Sequence, residues 1–241
     1  MELFMEEMAS AGVDKAILTG RQSGHRIVSN DDIAELRNRY PGQFPVALAG
    51  ISVANVSEAL SEIDRTVVGM DFRGIEISPG AESKPVYVDD LSIYPIYARC
   101  QELGVPLYLV CGVMQGPNIS YAEPWRIQHV AADFPDLQIV VVHAAFPFSN
   151  EMIGVMIRNS ELGNLWVMID FLYYTPGLPG VNMWLNAINH YLSDRVIYSS
   201  AYPLTPLAQA LDSVKRFSYQ PGVLNKLLCD NATKLFGSPL T

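Results

Sequence analysis

At 241 residues, 49% hydrophobic and 17% charged, the chain is long enough to bury a full core and reads as one α/β domain over residues 1–241. A formal net charge of −9 without a long basic run argues against nucleic acid or an anionic membrane as the main partner. Three widely spaced cysteines, Cys100, Cys111 and Cys229, argue against a disulfide framework or a zinc knuckle. With no apolar leader and no apolar run near the ~20 residues of a membrane span, a cytoplasmic protein is expected.

In chain order, MELFMEEMASAG sets Leu3, Met5 and Met8 among acidic neighbours, so the chain begins on a helix. KAILTG (15–20) is the first strand. QSGHRIVSNDDIAELRNRYPGQ (22–43) follows it, with a helix start at Ser29-Asn30-Asp31 and AELRNRY as the helix body. FPVALAGIS (44–52) is the second strand, VSEALSEID a helix and FRGIEISPG (72–80) the third strand. YPIYARCQELG is a helix stopped by glycine, and VPLYLVCG (105–112) the fourth strand. YAEPWRIQHVAADFP carries Trp125, Ile127, Val130 and Ala131 at helical spacing. LQIVVVHAAF (137–146), NLWVMIDFL (164–172) and RVIYSSAYP (195–203) are three further strands, and LTPLAQALDSVKRF and GVLNKLLCDNATKLFG close the chain as helices. Strands that are apolar on both faces and alternate with helices imply a parallel sheet with crossover helices. Seven strands are one short of a TIM-type (β/α) barrel, and because the sequence opens on a helix, the expectation is that a strand before Met1 is absent or that closure is achieved differently.

Five segments, MEEMASAGVDKAIL, FRGIEISPG, FPDLQIVVVHAAFP, RVIYSSAYP and CDNATKLFG, resemble in order the helix after strand one, strands four, six and eight, and the last helix of the amidohydrolase-related family. That family comprises metal-dependent TIM barrels, among them aminocarboxymuconate-semialdehyde decarboxylase and related decarboxylases, hydratases and lactonases. The resemblance implies an HxH pair on strand one, a histidine on strand five, another near the end of strand six and an aspartate on strand eight. Such a set holds a divalent metal with an open position. Here the HxH pair has no counterpart, Val110 stands at the strand-five position and Ala201 at the strand-eight position. Only His143 remains. A shift of one residue would put Cys111 at the strand-five position, still giving only two ligands. No metal or other cofactor is therefore expected.

Among the polar residues of this frame, alternation puts His143 on the face of Ile139 and Val141, taken as the barrel interior. It is read as a site histidine or as an inherited core histidine. Glu76, between Ile75 and Ile77, is a desolvated carboxylate with a raised pKa unless paired, or else a strand end open to solvent; Arg73, on the opposite strand face, is not its obvious partner. Asp170, in register with Trp166 and Met168, is a loop anchor or a site acid facing His143. Arg21 and His25, with Arg26, on the loop after the first strand, are a clamp for a substrate carboxylate or solvated residues of a polar loop. Tyr173 and Tyr174 sit in a loop with Pro176-Gly177 and Pro179-Gly180, followed by Trp184, that would roof the pocket. His129, His190 and Asn231 read as surface or structural residues. There is no GxSxG, GxxxxGK[ST] or GxGxxG motif, and a nucleophile–base pair of His143 with Cys111 or Ser200 depends on the fold.

Two readings follow. In the first, the chain is a non-catalytic member whose barrel binds or stabilises a partner, as a homo-oligomer or beside a related subunit, its open strand edge and apolar interior covered by that partner. In the second, it is a metal-independent hydrolase or decarboxylase acting on a small carboxylated or aromatic compound, with His143 as acid or base and Glu76 or Asp170 in support.

Overall fold

A computed structural model describes residues 2–22, 27–170, 175, 177–237 and 240. Helix α1 (Glu2–Ala11) leads into strand β1 (Ile17–Thr19), then α2 (Asn30–Arg39) and β2 (Val46–Ile51). α3 (Val56–Ile63) precedes β3 (Gly74–Ile77), and α4 (Tyr94–Leu103) precedes β4 (Leu107–Val110). α5 (Pro124–Asp133), β5 (Ile139–Val142), α6 (Ser149–Arg158), β6 (Leu165–Ile169), α7 (Val181–His190) and β7 (Val196–Tyr198) continue the alternation. α8 (Leu207–Lys215), α9 (Val223–Asn225) and α10 (Asn231–Phe236) close the chain. All seven expected strands form, and they pair in parallel in sequence order from β1 to β7.

Alternation along the strands makes two faces. Ala47, Ala49, Ile75, Ile77, Leu107, Leu109, Ile139, Val141, Leu165 and Val167 pack outward against the helices. Val46, Leu48, Tyr108, Val110, Val140, Val142, Trp166 and Ile197 face one another across the concave side, as in a TIM-type barrel. The strands are apolar on both faces because helices cover one and the curled sheet covers the other.

At the amino-terminal end of the strands, α10 seals the concave face. Phe236 stacks on Tyr108 with ring centroids 6.2 Å apart, and Trp166 lies under Arg195 (4.6 Å) and Lys234 (5.8 Å). Asn231 holds this helix by donating to the carbonyls of Ser193 (2.8 Å) and Val196 (2.7 Å), the structural role expected of it. α1 joins the two ends of the layer. Its Met8 packs with Phe44 and Leu207, its Phe4 lies 4.5 Å from the Tyr202 ring, and Glu7 accepts a hydrogen bond from the Leu207 amide at 2.6 Å. That carboxylate caps α8, whose own cap residue, Pro206, supplies no side-chain acceptor.

The capping signals read from the sequence are present. Ser29 accepts from the Asp31 amide at the start of α2, and Gly104 ends α4 with a left-handed φ of 65°. Helices α6 and α7 add to the expected elements; Phe148 and Gly180 at their starts give neither a side-chain cap nor the first-turn proline that marks α4 and α5. Trp184 is a correction: it does not roof a pocket but lies 1% exposed inside α7, in the layer between helices and sheet. The described residues include no helix long and apolar enough to cross a membrane.

Candidate active site

The carboxyl-terminal ends of the strands carry the polar residues. Glu76, on the concave face of β3, is neither a solvent-open strand end nor unpaired: its side chain is 6% exposed, and both oxygens are engaged. Arg21 Nε reaches Oε1 at 3.2 Å and the Thr19 hydroxyl lies 3.1 Å from Oε2. Both partners come from the end of β1 and reach across β2. That reach exists because the β2 residue in register with Glu76 is Gly50. A Cβ there would stand 2.4 Å from the Arg21 amide nitrogen and 2.5 Å from its Cα, so only glycine lets β1 close onto β2 at this level. The buried side chain of Asn30 fixes the same point by bonding both the amide (2.9 Å) and the carbonyl (3.0 Å) of Gly50.

Burial holds the Glu76 carboxyl above the ordinary glutamate range; the Arg21 charge, the Thr19 hydroxyl and, least, His143 offset part of that effect. Arg73 pairs instead with Asp71.

His143 shows where strand alternation stops applying. Ile139 and Val141 face the helices, so the regular pattern would turn His143 away from the concave side. Left-handed φ angles at His143 (65°), Ala144 (49°) and Ala145 (55°) break the strand first. The turn is held by amides of Phe146 and Phe148 donating to the carbonyls of His143 and Ala145, each at 3.0 Å. Three consecutive non-glycine residues in this region cost roughly 1 kcal/mol each. The result is that His143 Nδ1 lies 2.6 Å from Asp170 Oδ2 at the end of β6. The aspartate side chain is 2% exposed and the imidazole 26%. A carboxylate only accepts, so Nδ1 carries the proton of this bond and Nε2 is the ring's second exchangeable position. The ring lies against Gly112, where a Cβ would stand 3.0 Å from His143 Cβ.

The structure therefore brings together two pairs, His143–Asp170 and Glu76–Arg21, as the sequence grouped them in part. Thr19 was missed; the signal for it was the TGR run facing a glycine on the next strand. His25, Tyr173 and Tyr174 lie outside the described residues. Cys111 faces the helix layer, where burial pushes its thiol up to about 12, so it forms no pair with His143. Ser200 Oγ accepts from the Tyr202 amide at 3.3 Å in a turn. His190 is exposed, and His129 meets Asp89 at 3.1 Å, 61% exposed.

The metal implied by the family resemblance can be tested against these residues. Val110, not Cys111, occupies the concave face of β4, in register with Val142. Ala201 follows β7 with φ 52°. The carboxylates present are engaged by an imidazole and a guanidinium, and the described residues contain no cluster of three or more His, Cys, Asp or Glu that can hold a metal. This donor set does not fit the family's divalent ion.

A curled parallel (β/α) sheet with its polar groups at the carboxyl ends of the strands defines a protein of the TIM-barrel type, and the chain belongs to the amidohydrolase family, whose model matches residues 5–238. An uncharacterised TIM-barrel protein of Bordetella bronchiseptica is 33% identical, with a TM-score of 0.90 over 98% of this chain and 82% of that one. 2,6-Dihydroxybenzoate decarboxylase from Rhizobium shares the fold at 20% identity and a TM-score of 0.76, over 97% of this chain and 87% of its own. Among curated proteins, 2-amino-3-carboxymuconate-6-semialdehyde decarboxylase of Dictyostelium discoideum is 26% identical over 100 residues, 41% of this chain. That stretch is only 27% of the decarboxylase's length.

Proposed function

We propose that this chain is a metal-independent lyase that removes the carboxylate from a small aromatic acid. The observation that carries this reading is the 2.6 Å contact between partly exposed His143 and buried Asp170 at the catalytic end of the strands. Likeness to decarboxylases of aromatic and related acids supports the substrate class.

Arg21 orients the substrate through its anionic group. The imidazolium of His143, balanced by Asp170, donates its Nε2 proton to the ring carbon that bears the carboxylate. The bond to the carboxylate carbon then breaks, its electron pair returns to the ring, and carbon dioxide leaves. Solvent reprotonates His143. Asp170 fixes the ring orientation and stabilises the charged imidazole, as a buried carboxylate behind a catalytic histidine does in general.

The test is release of labelled carbon dioxide from a panel of carboxyl-labelled hydroxybenzoates, assayed with a chelator present. Asp170→Asn is expected to lower turnover by on the order of 100-fold or more while leaving the fold intact. Carbon dioxide release that survives Asp170→Asn unchanged, or that vanishes on chelation, would refute the mechanism.

A second reading, a non-catalytic barrel that binds or stabilises a partner, is favoured by Val110 and Ala201 and by apolar side chains exposed on the loops at the strands' carboxyl ends, among them Ile27 (72%), Met114 (86%) and Leu204 (70%). No turnover of any acid in the panel would leave this reading in place.

A further inference from the structure

We propose that the Arg21–Glu76 pair is an exchangeable seat for a carboxylate: a monoanionic acid takes the Arg21 guanidinium, and Glu76, deprived of its cation, takes up a proton. This rests on the assignment of Arg21 as the substrate-orienting residue and adds to it a linked change of charge at a second site.

The pair is asymmetric in the way such an exchange needs. Arg21 touches Glu76 through Nε alone, and its side chain makes no other hydrogen bond among the described residues. A guanidinium bound at one nitrogen keeps donors for a bidentate partner. Arg21 is 31% exposed while Glu76 is 6% exposed, so a dissolved acid reaches the cation and not its internal counterion. The Arg21 backbone is also anchored, because Arg21 and Val28 exchange backbone hydrogen bonds of 3.0 and 2.8 Å. The side chain can therefore change partner while the Arg21 backbone stays paired.

Thr19 serves both charge states of Glu76. Its hydroxyl lies 3.1 Å from Glu76 Oε2 and 3.1 Å from the Gly20 carbonyl. With Glu76 ionised, the hydroxyl donates to Oε2. With Glu76 protonated, it accepts from the carboxylic acid and donates to the Gly20 carbonyl. A hydroxyl can reverse in this way; an ammonium or amide donor cannot.

The remaining groups around Glu76 do not supply a replacement charge of the same strength. β2 contributes Gly50, without a side chain. β4 contributes Tyr108, in register with Glu76, whose buried hydroxyl has no hydrogen-bond partner. From the end of β5, His143 acts on Glu76 more weakly than Arg21 does. Burial already disfavours the ionised carboxyl with Arg21 in place, so loss of Arg21 pushes in the same direction. Proton uptake is the expected consequence.

The experiment is calorimetric titration of the full chain with benzoate, at a series of pH values, each in two buffers that differ in ionisation enthalpy. The buffer dependence reports protons exchanged. Uptake is expected to pass through a maximum, approaching about one proton per benzoate, as pH is raised. Glu76→Gln should bind benzoate with no uptake, and Arg21→Met should weaken binding at least about tenfold. The proposal is overturned if benzoate fails to bind, if it binds without buffer-dependent heat, or if Glu76→Gln shows the same uptake. Carbon dioxide release without proton-linked benzoate binding would sink this inference and leave the lyase standing. Proton-linked binding without turnover would do the reverse.

Discussion

Gly50→Ala is a single added methyl group whose effect can be worked from distances. The new Cβ would stand 2.4 to 2.5 Å from the backbone of Gly20 and Arg21, about 1 Å inside ordinary contact, and the obstructing atoms are main chain. β2 cannot retreat easily, because Asn30 grips both polar groups of Gly50. The end of β1 must therefore move, and a shift of about 1 Å breaks contacts of 3.1 and 3.2 Å from Thr19 and Arg21 to Glu76. Overpacking of this kind costs about 1–3 kcal/mol. Stranding a buried carboxylate adds to it, at the low end of about 3–5 kcal/mol because Arg21 is a third exposed. The sum, roughly 4–6 kcal/mol, corresponds to a melting temperature lower by about 8–24 °C for a chain of this size. Thermal and urea unfolding measure it. If the penalty runs through Glu76, the loss caused by Gly50→Ala should shrink by about 1 kcal/mol or more in a Glu76→Gln background. A Gly50→Ala variant that melts within about 2 °C of the parent would refute the argument that glycine admits the β1 contacts.

Two further outcomes are expected. Because burial raises the Glu76 carboxyl in the folded state above its ordinary 4.5, the folded chain binds this proton more tightly than the unfolded one, so stability attributable to Glu76 falls as pH rises from about 4.5 through the raised value. Urea unfolding across pH should show the parent losing stability relative to Glu76→Gln over that window, and a difference independent of pH would contradict it. Restoring ligands is the test of the metal argument: the double variant Val110→His, Ala201→Asp should retain more zinc after dialysis than the parent, measured by mass spectrometry of the metal. Near-stoichiometric metal in the parent would show that other ligands hold it.

Much of the molecule was legible in the sequence. The seven strands stand out because each is a short apolar run rich in β-branched residues, and parallel burial on both faces leaves that composition no other stable place. The barrel followed from their alternation with helices, and the family from five segments in order. Val110 was legible because it sits inside a strand whose register is fixed by burial, and Ala201 because it follows one within the RVIYSSAYP run.

Helices α6 and α7 were less visible, since Phe148 and Gly180 give no side-chain cap and no proline opens their first turn as it does in α4 and α5. Trp184 read as a loop residue for the same reason. The pairings at the site lay deeper still. The sequence by itself placed Glu76, His143, Asp170 and Arg21 at the ends of strands, because period-two patterns and turn residues are local properties of the chain. Only the tertiary structure decided who meets whom: Glu76 takes Arg21 across a glycine on the intervening strand, and three left-handed residues rotate His143 from the helix side onto Asp170. Such contacts depend on the lateral register of strands 27 and 55 residues apart and on a backbone angle that no neighbouring residue type requires.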